Sequence, residues 1–91
     1  MIKTDVEKQL ATALAIKQTD ARDLLNVILD EMTLALSRQQ RVALVGFGSF
    51  EVRDYKERQG RNPQTGEAIL IPASKGVHFR PGKALKDKVA E

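Results

Sequence analysis

The stretch from Arg58 to Gly66 carries the residues whose types and spacing are most suited to binding chemistry. Arg58 and Arg61 place two cations three positions apart, and Asn62-Pro63 followed by Gly66 is turn chemistry. Proline fixes φ there, and glycine is free to adopt a positive φ. The stretch is too polar to be core. A turn that carries cations, an amide and one proline suits contact with a polyanion.

The segments on either side of this turn have the composition of strands. One runs from Val42 to Tyr55 and the other from Ala68 to Phe79, so Arg58–Gly66 is predicted to be the tip of a long β-hairpin. Residues from about 53 to 75 form a projecting arm in this prediction. The first limb of the arm shows no consistently apolar face. Because exposed hairpins are unstable alone, we expect the arm to be mobile in the free protein.

Gly46-Phe47-Gly48 interrupts the first strand-like segment and superficially resembles a dinucleotide-binding loop. The third glycine of that fingerprint is replaced by Glu51, and the segment does not open a helix. We therefore predict a tight turn between two strands. Its glycines would also let backbone N–H groups approach a phosphate.

Two helices are predicted to precede the strands. Thr4 and Glu7 have capping-box spacing for a helix ending near Ala15, and Thr19 or a neighbour is expected to cap the next helix. The second helix has a wide apolar face, which favours a subunit interface over contact with the sheet alone. The stripe on this face comprises Ala21, Leu24, Leu25, Ile28, Met32, Ala35 and Leu36, with Val27, Leu29 and Leu34 beside it.

The chain has 91 residues, 42% of them hydrophobic, and no cysteine, so it cannot be stabilised by disulfides. A core of this size is marginal alone, which again favours oligomerisation. One histidine, His78, and scattered carboxylates give no metal-ligand spacing and no catalytic pair. We predict no enzyme, no metal and no cofactor. Without a signal-like or membrane-length apolar run, a cytoplasmic location is expected.

Charge is unevenly distributed along the chain. Residues 1–40 carry five cations and six acids, whereas residues 41–91 carry ten cations and six acids. The strand-rich half and the C-terminal segment, which reads as a short helix over about residues 82–90, therefore hold the basic excess. This asymmetry favours a polyanion-binding face in that half.

Three segments together resemble the HU/IHF family of bacterial nucleoid proteins. They are Val45-Gly46-Phe47-Gly48-Ser49-Phe50, Gly60-Arg61-Asn62-Pro63-Gln64-Thr65-Gly66, and Arg80-Pro81-Gly82-Lys83-Ala84-Leu85-Lys86, and the resemblance spans the whole chain. It implies one α+β domain over residues 1–91 with the order ααβββα. The implied dimer is intertwined. Each subunit has a helical base (about residues 1–40), and its short antiparallel sheet and protruding β-arm together span about residues 41–80.

The resemblance also implies a function and site residues. The family wraps and bends double-stranded DNA with little sequence specificity, through arms in the minor groove and a proline that intercalates at the tip, here Pro63. Bent, nicked or gapped DNA would be preferred, and the protein would contribute to nucleoid organisation and chromosome condensation. The predicted DNA-binding residues are Lys3, Gly46, Gly48, Arg53, Tyr55, Arg58, Arg61, Asn62, Pro63, Gln64, Lys75, Arg80, Lys83 and Lys86.

A homodimer is the main expectation, and its predicted core comprises Leu25, Ile28, Leu29, Met32, Leu36, Leu44, Phe47, Phe50 and Phe79. The arm tip favours the HU branch, whereas Arg80-Pro81-Gly82 resembles the IHF branch, which leaves a heterodimeric, site-preferring subunit open. RNA stays open as a further partner. From a different class, a dimeric module whose hairpin grips an acidic protein is the alternative. Tyr55, Asp54 and Glu57 depart from the usual basic arm.

Overall fold

The computed structural model describes every residue from Met1 to Glu91 and contains three helices and five strands. None of the helices is long and apolar enough to span a bilayer. In chain order the elements are α1 (Lys3–Leu14), α2 (Gln18–Ser37), β1 (Val42–Leu44), β2 (Gly48–Tyr55), β3 (Arg58–Arg61), β4 (Ala68–Ile71), β5 (Ser74–Pro81) and α3 (Lys83–Ala90). The chain divides into two compact units, Met1–Ala35 and Leu36–Glu91.

Both helix starts in the first unit differ from the sequence prediction. Ile2, not Thr4, is the N-cap of α1, because the Ile2 N–H donates to Asp5 Oδ2 at 2.8 Å and the helix therefore begins at Lys3. α2 begins at Gln18, so Thr19 lies inside the helix. In both cases the first helical turn extends earlier than the hydroxyl that was expected to cap it, which shows that cap chemistry alone locates a boundary only to within a residue or two.

α1 ends in a Schellman motif that has alanine at the position where glycine is usual. Ala15 lies in the left-handed region with φ 54° and ψ 48°. The Ala15 N–H donates to Thr12 O at 3.3 Å, and the Ile16 N–H donates to Ala11 O at 3.0 Å. The backbone hydrogen bonds are those of the motif, but the Cβ of alanine is disfavoured in this conformation.

Very little of the chain is fully buried. Ala21 is the one buried hydrophobic residue, and the other two buried residues are polar, Glu7 and Ser49. The Glu7 carboxylate lies between two cations, with Lys3 Nζ at 3.6 Å and Arg22 Nε at 3.5 Å from its Oε1. The apolar face of α2 stays largely accessible. Leu24 and Ile28 of the stripe are exposed, as are Val27, Leu29 and Leu34 beside it, whereas the rest of the stripe apart from Ala21 is half-buried.

In the second unit, β1, β2 and β5 form an antiparallel sheet in that order. Phe50 pairs with both Val42 and Phe79, and Glu51 pairs with His78, so the two faces differ in character. Because side chains alternate along a strand, one face is mainly apolar and the other mainly polar. The apolar face holds Val42, Leu44, Phe50, Val52, Val77 and Phe79, and the polar face holds Ser49, Glu51, Arg53, Tyr55, His78 and Arg80.

Three aromatic rings make the main contact on the apolar face. The Phe79 ring lies 5.5 Å from Phe47 and 4.8 Å from Phe50 between centroids, both in tilted arrangements. A Cβ at Gly48 would lie 2.7 Å from the Phe79 ring and 2.6 Å from Arg80 O. Gly48 is therefore required by close packing, whatever else it contacts.

The arm is a second, two-stranded sheet rather than a continuation of the first. β2 and β5 pair as far as Tyr55 and Ser74, and β3 and β4 begin to pair at Arg58 and Ile71. Two residues on each limb lie outside any strand, Lys56-Glu57 and Pro72-Ala73. The sequence predicted three continuous strands after the helices, with an irregularity at Pro72. Pro72 cannot donate to a strand partner, which accounts for the break on its limb.

We predict that Ala15→Gly stabilises the protein by roughly 0.5–1 kcal/mol, because glycine adopts the left-handed conformation without the Cβ penalty. Urea unfolding at fixed protein concentration measures the effect. Ala13→Gly is the matched control, since it places the same residue inside α1, where glycine should destabilise. Equal destabilisation by both variants would contradict the proposed strain at Ala15.

Candidate nucleic-acid interface

The tip of the arm is a hydrogen-bonded turn that holds Pro63 at its apex. The Asn62 N–H donates to Glu67 O at 2.8 Å, and the Gly66 N–H donates to Asn62 O at 2.7 Å. Gly66 has φ +74°, as predicted for the glycine of this turn. Asn62 Oδ1 accepts from the Gln64 N–H at 2.9 Å, forming an Asx turn around Pro63. The proline ring is thereby fixed in place and exposed.

The two tip arginines lie on opposite faces of the arm. In the β3–β4 register Arg58 pairs with Ile71 and Arg61 with Ala68. Since the residues are three apart on a strand, their side chains point to different sides of the ribbon. Arg61 donates from Nη1 to Gly66 O at 3.1 Å, and Arg58 makes no salt bridge. The turn uses Asn62 Oδ1 and leaves the amide hydrogens of that side chain available to a ligand.

A small apolar cluster supports one face of the arm and was missed in the sequence. A Cβ at Gly60 would lie 2.9 Å from Ile71 Cδ1 and 3.8 Å from Ile69 Cγ1, so both isoleucines pack over the glycine. The sequence signal was present in the alternation of Ile69 and Ile71 after the turn. This packing gives the ribbon some internal support beside its backbone hydrogen bonds.

Arg53 lies on the polar face of the three-stranded sheet and is held by Glu51. The Arg53 guanidinium donates to Glu51 Oε1 from Nε at 3.1 Å and from Nη2 at 2.9 Å. Lys75 pairs across the ladder with Asp54 and therefore lies on the opposite face. The structure thus does not bring Arg53 and Lys75 together, although both were predicted as arm contacts. Arg80 shares the face of Arg53.

The predicted turn glycines border a shallow depression of about 250 Å³ that also contains two arginines. Gly46 has φ +84°, and Gly82, which precedes α3, donates its N–H to Phe47 O at 2.8 Å. Arg41 and Arg80 both line this depression. Arg41 was not among the predicted site residues, although its position just before β1 would place a cation near the turn. The depression suits an anionic group because it brings together the start of α3, the turn at Gly46 and two guanidinium groups.

Among the predicted DNA-binding lysines outside the arm, some already form a salt bridge with a carboxylate and others do not. Lys83 Nζ lies 3.0 Å from Asp87 Oδ2, and Lys3 pairs with Glu7 in the first compact unit. Lys86 makes no salt bridge. Lys83 and Lys3 would have to exchange a carboxylate for a phosphate in order to bind DNA. No three His, Asp or Glu side chains converge as a metal site would require.

We predict that the pKa of Glu51 lies below its ordinary value, chiefly because the Arg53 side chain donates hydrogen bonds to the carboxylate. The nearby charges of Arg80 and His78 act in the same direction. Because the pKa of Glu51 is lower in the folded protein than in the unfolded chain, the Glu51–Arg53 pair stabilises the fold at pH values above the unfolded-state pKa. This stabilisation is lost as the pH falls through the folded-state pKa. Carboxyl-carbon NMR titration of Glu51 should show a rise in pKa in Arg53→Ala. Arg58→Ala is the control, and an unshifted titration in Arg53→Ala would contradict the assignment.

Comparisons with known proteins agree with this geometry. The family model for "Bacterial DNA-binding protein" matches residues 1–90. The DNA-binding protein HU of Geobacillus stearothermophilus is 47% identical over 89 residues, which covers 98% of this chain and 99% of that protein. The integration host factor subunit alpha of Pseudoalteromonas translucida is 45% identical over 89 residues, covering 98% of this chain and 90% of that protein.

A solved structure matches over almost the whole chain. The Anabaena HU–DNA cocrystal structure superposes with a TM-score of 0.89 at 39% identity and covers 99% of this chain and 98% of that one. The predicted α+β architecture and the predicted family are confirmed by these matches. The family is one of non-enzymatic DNA-binding proteins. With 90 of its 91 residues matched, the chain belongs to the bacterial DNA-binding protein family, which includes HU and integration host factor.

Proposed function

We propose that this protein is a homodimeric architectural protein that wraps and bends double-stranded DNA with little sequence specificity. The two arms lie in the minor groove, and Pro63 enters between base pairs and kinks the duplex. Wedging of this kind is the general mechanism of minor-groove architectural proteins, HU and IHF among them. The role is nucleoid organisation and chromosome condensation.

The observation that carries the proposal is the construction of the arm tip. Pro63 is an exposed, rigid, apolar ring held at the apex by the Asx turn of Asn62 and by the Gly66–Asn62 hydrogen bond. Because proline is rigid and its turn is held by its own hydrogen bonds, inserting the ring between bases costs little conformational entropy within the tip, even where the arm as a whole is mobile. Arg58 and Arg61 flank it on the two faces of the ribbon and can reach phosphates there. The amide of Asn62 can donate to the purine N3 and pyrimidine O2 acceptors of the minor groove.

Bending has an energetic cost that depends on the DNA. Kinking separates stacked bases, and the additional protein–DNA interactions that wrapping permits must offset that cost. The polar face of the sheet, with Arg53 and Arg80, and the depression beside Gly46 and Gly48 supply such interactions. Nicked, gapped or already bent DNA has part of the deformation done in advance, so we expect it to bind more tightly.

The exposed apolar surface supports the dimer. Within one chain Ala21 alone among the hydrophobic residues is buried, whereas Ile28, Leu29, Leu44 and Phe47 are each more than 40% exposed. Leaving so much apolar surface in water is unfavourable, and a second copy would cover it. We assign the dimer core to Leu25, Ile28, Leu29, Met32, Leu36, Leu44, Phe47, Phe50 and Phe79. Pairing with a different chain of the family would use the same surface.

A Pro63→Ala variant should keep much of its DNA affinity and bend DNA less, since the cations are unchanged and the rigid wedge is lost. End-to-end FRET measures the bend on a linear duplex and on a nicked duplex, each labelled at its two ends. Thr65→Ala is the matched control because it trims the same tip and keeps the ring. An unchanged bend angle in Pro63→Ala would rule out the wedge.

Removing Arg61 should reduce the salt dependence of binding. If each Arg61 neutralises one phosphate, Arg61→Ala lowers the slope of log K against log salt by about one unit per subunit. Fluorescence anisotropy across a salt series gives the slope. Arg38→Ala removes the same charge between α2 and β1, outside the proposed interface, and should leave the slope unchanged. Equal slopes for wild type and Arg61→Ala would argue against the contact.

A further inference from the structure

Tyr55 occupies an unusual position at the base of the arm. It is the last residue of β2 and pairs with Ser74, immediately before both limbs of the hairpin leave the strand conformation. A Cβ at Gly76 would lie 3.0 Å from Tyr55 Cε2. The ring therefore lies directly against the backbone of Gly76, while the residue as a whole remains 50% exposed. Tyr55 therefore combines a ring that backbone supports on one side with substantial exposure to solvent.

The break in the arm leaves space beside this ring. A depression of about 610 Å³ is lined by Tyr55, Arg58, Ile71 and Pro72, among others. A second depression, of about 360 Å³, also borders Tyr55 and includes Lys75. The larger volume lies in the range typical of small-molecule sites. The space exists because neither limb is paired over the two residues between the sheets.

The residues around the larger depression suit a flat heterocycle that carries phosphate. Ile71 and Pro72 supply apolar contact, and Lys56 and Arg58 supply cations for a backbone phosphate. Asp54 and Glu57 line the same space and would repel a bare phosphate. Carboxylates do, however, accept hydrogen bonds from the amino and imino groups of a base edge. This combination of apolar, cationic and acidic side chains therefore favours a nucleotide within a nucleic-acid chain over a free anion.

We propose that Tyr55 is a stacking platform for an unpaired nucleobase of single-stranded nucleic acid, with the base in the depression at the base of the arm. Bases in an intact duplex are stacked and paired and cannot enter it. Aromatic stacking recognises bases without regard to sequence because every base has a π-face. This site lies at the base of the arm, away from Pro63, although Arg58 borders it, and its proposed ligand goes beyond the bending of duplex DNA. DNA and RNA strands share this chemistry, and the experiment separates them.

The composition of the chain supplies a direct probe. Tyr55 is the only tyrosine, and there is no tryptophan, so the intrinsic tyrosine fluorescence of the protein reports on this one ring. Stacking of a base on the ring should quench that emission. Short oligothymidylate and oligouridylate strands are titrated into the full-length protein beside an abasic strand of equal length, which has the same phosphates and no bases. We expect quenching by one or both base-containing strands and none by the abasic strand.

Variants test the same site through affinity, by anisotropy of a labelled oligothymidylate. Tyr55→Ala should weaken binding about tenfold, since it removes the ring on which the base stacks, and Tyr55→Phe should retain the affinity. Gly76→Val displaces the ring from its support and should behave like Tyr55→Ala, with circular dichroism confirming the fold of each variant. Equal quenching by abasic and base-containing strands, or an affinity insensitive to Tyr55→Ala, would overturn the proposal. Either result would leave duplex bending by Pro63 standing, because that is measured by FRET on separate substrates.

Discussion

The dominant constraint on this protein is the near absence of a buried core within one chain. A single apolar side chain, Ala21, is removed from solvent completely, whereas seventeen large hydrophobic residues remain exposed. Hydrophobic burial is the main favourable contribution to folding, and one chain realises little of it. The helices and sheet therefore depend on a covering surface outside the chain, and the proposed homodimer provides one. The free energy of unfolding should then depend on protein concentration.

Features set by local chemistry were the ones that the sequence predicted well. Asn62-Pro63 and Gly66 specify a turn through their own backbone preferences, and the structure contains that turn at the predicted place. The apolar spacing of α2 likewise located the helix. The Phe50 and Phe79 rings meet on the apolar face, although they are distant in sequence, because strand alternation fixes the face of each; Phe47 contacts Phe79 from the turn between β1 and β2.

Other features depend on geometry that single residues do not encode. Ile2 carries no capping side chain, so the start of α1 was placed at Thr4, and Ala15 gave no sign of a left-handed cap. The division of the hairpin into two sheets depends on pairing between limbs, which the sequence of one limb does not specify. By contrast, the carboxylate partners of Lys3 and Lys83 each lie four residues further along the same helix, a spacing that could be read from the sequence. Arg41 was missed because the depression that it lines together with Arg80 forms only in the folded chain.

The opposite orientation of Arg58 and Arg61 has a consequence for what the arm can recognise. In the proposed complex, a ribbon whose two faces met the two phosphate chains would direct one guanidinium toward each chain, and both contacts would form together only when the chains were a suitable distance apart. Through these two arginines the arm would respond to the width of the groove, separately from any contact that Asn62 makes with a base edge. Since groove width varies with sequence and with bending, the ribbon would respond to the local shape of the double helix even where Pro63 finds no step to enter.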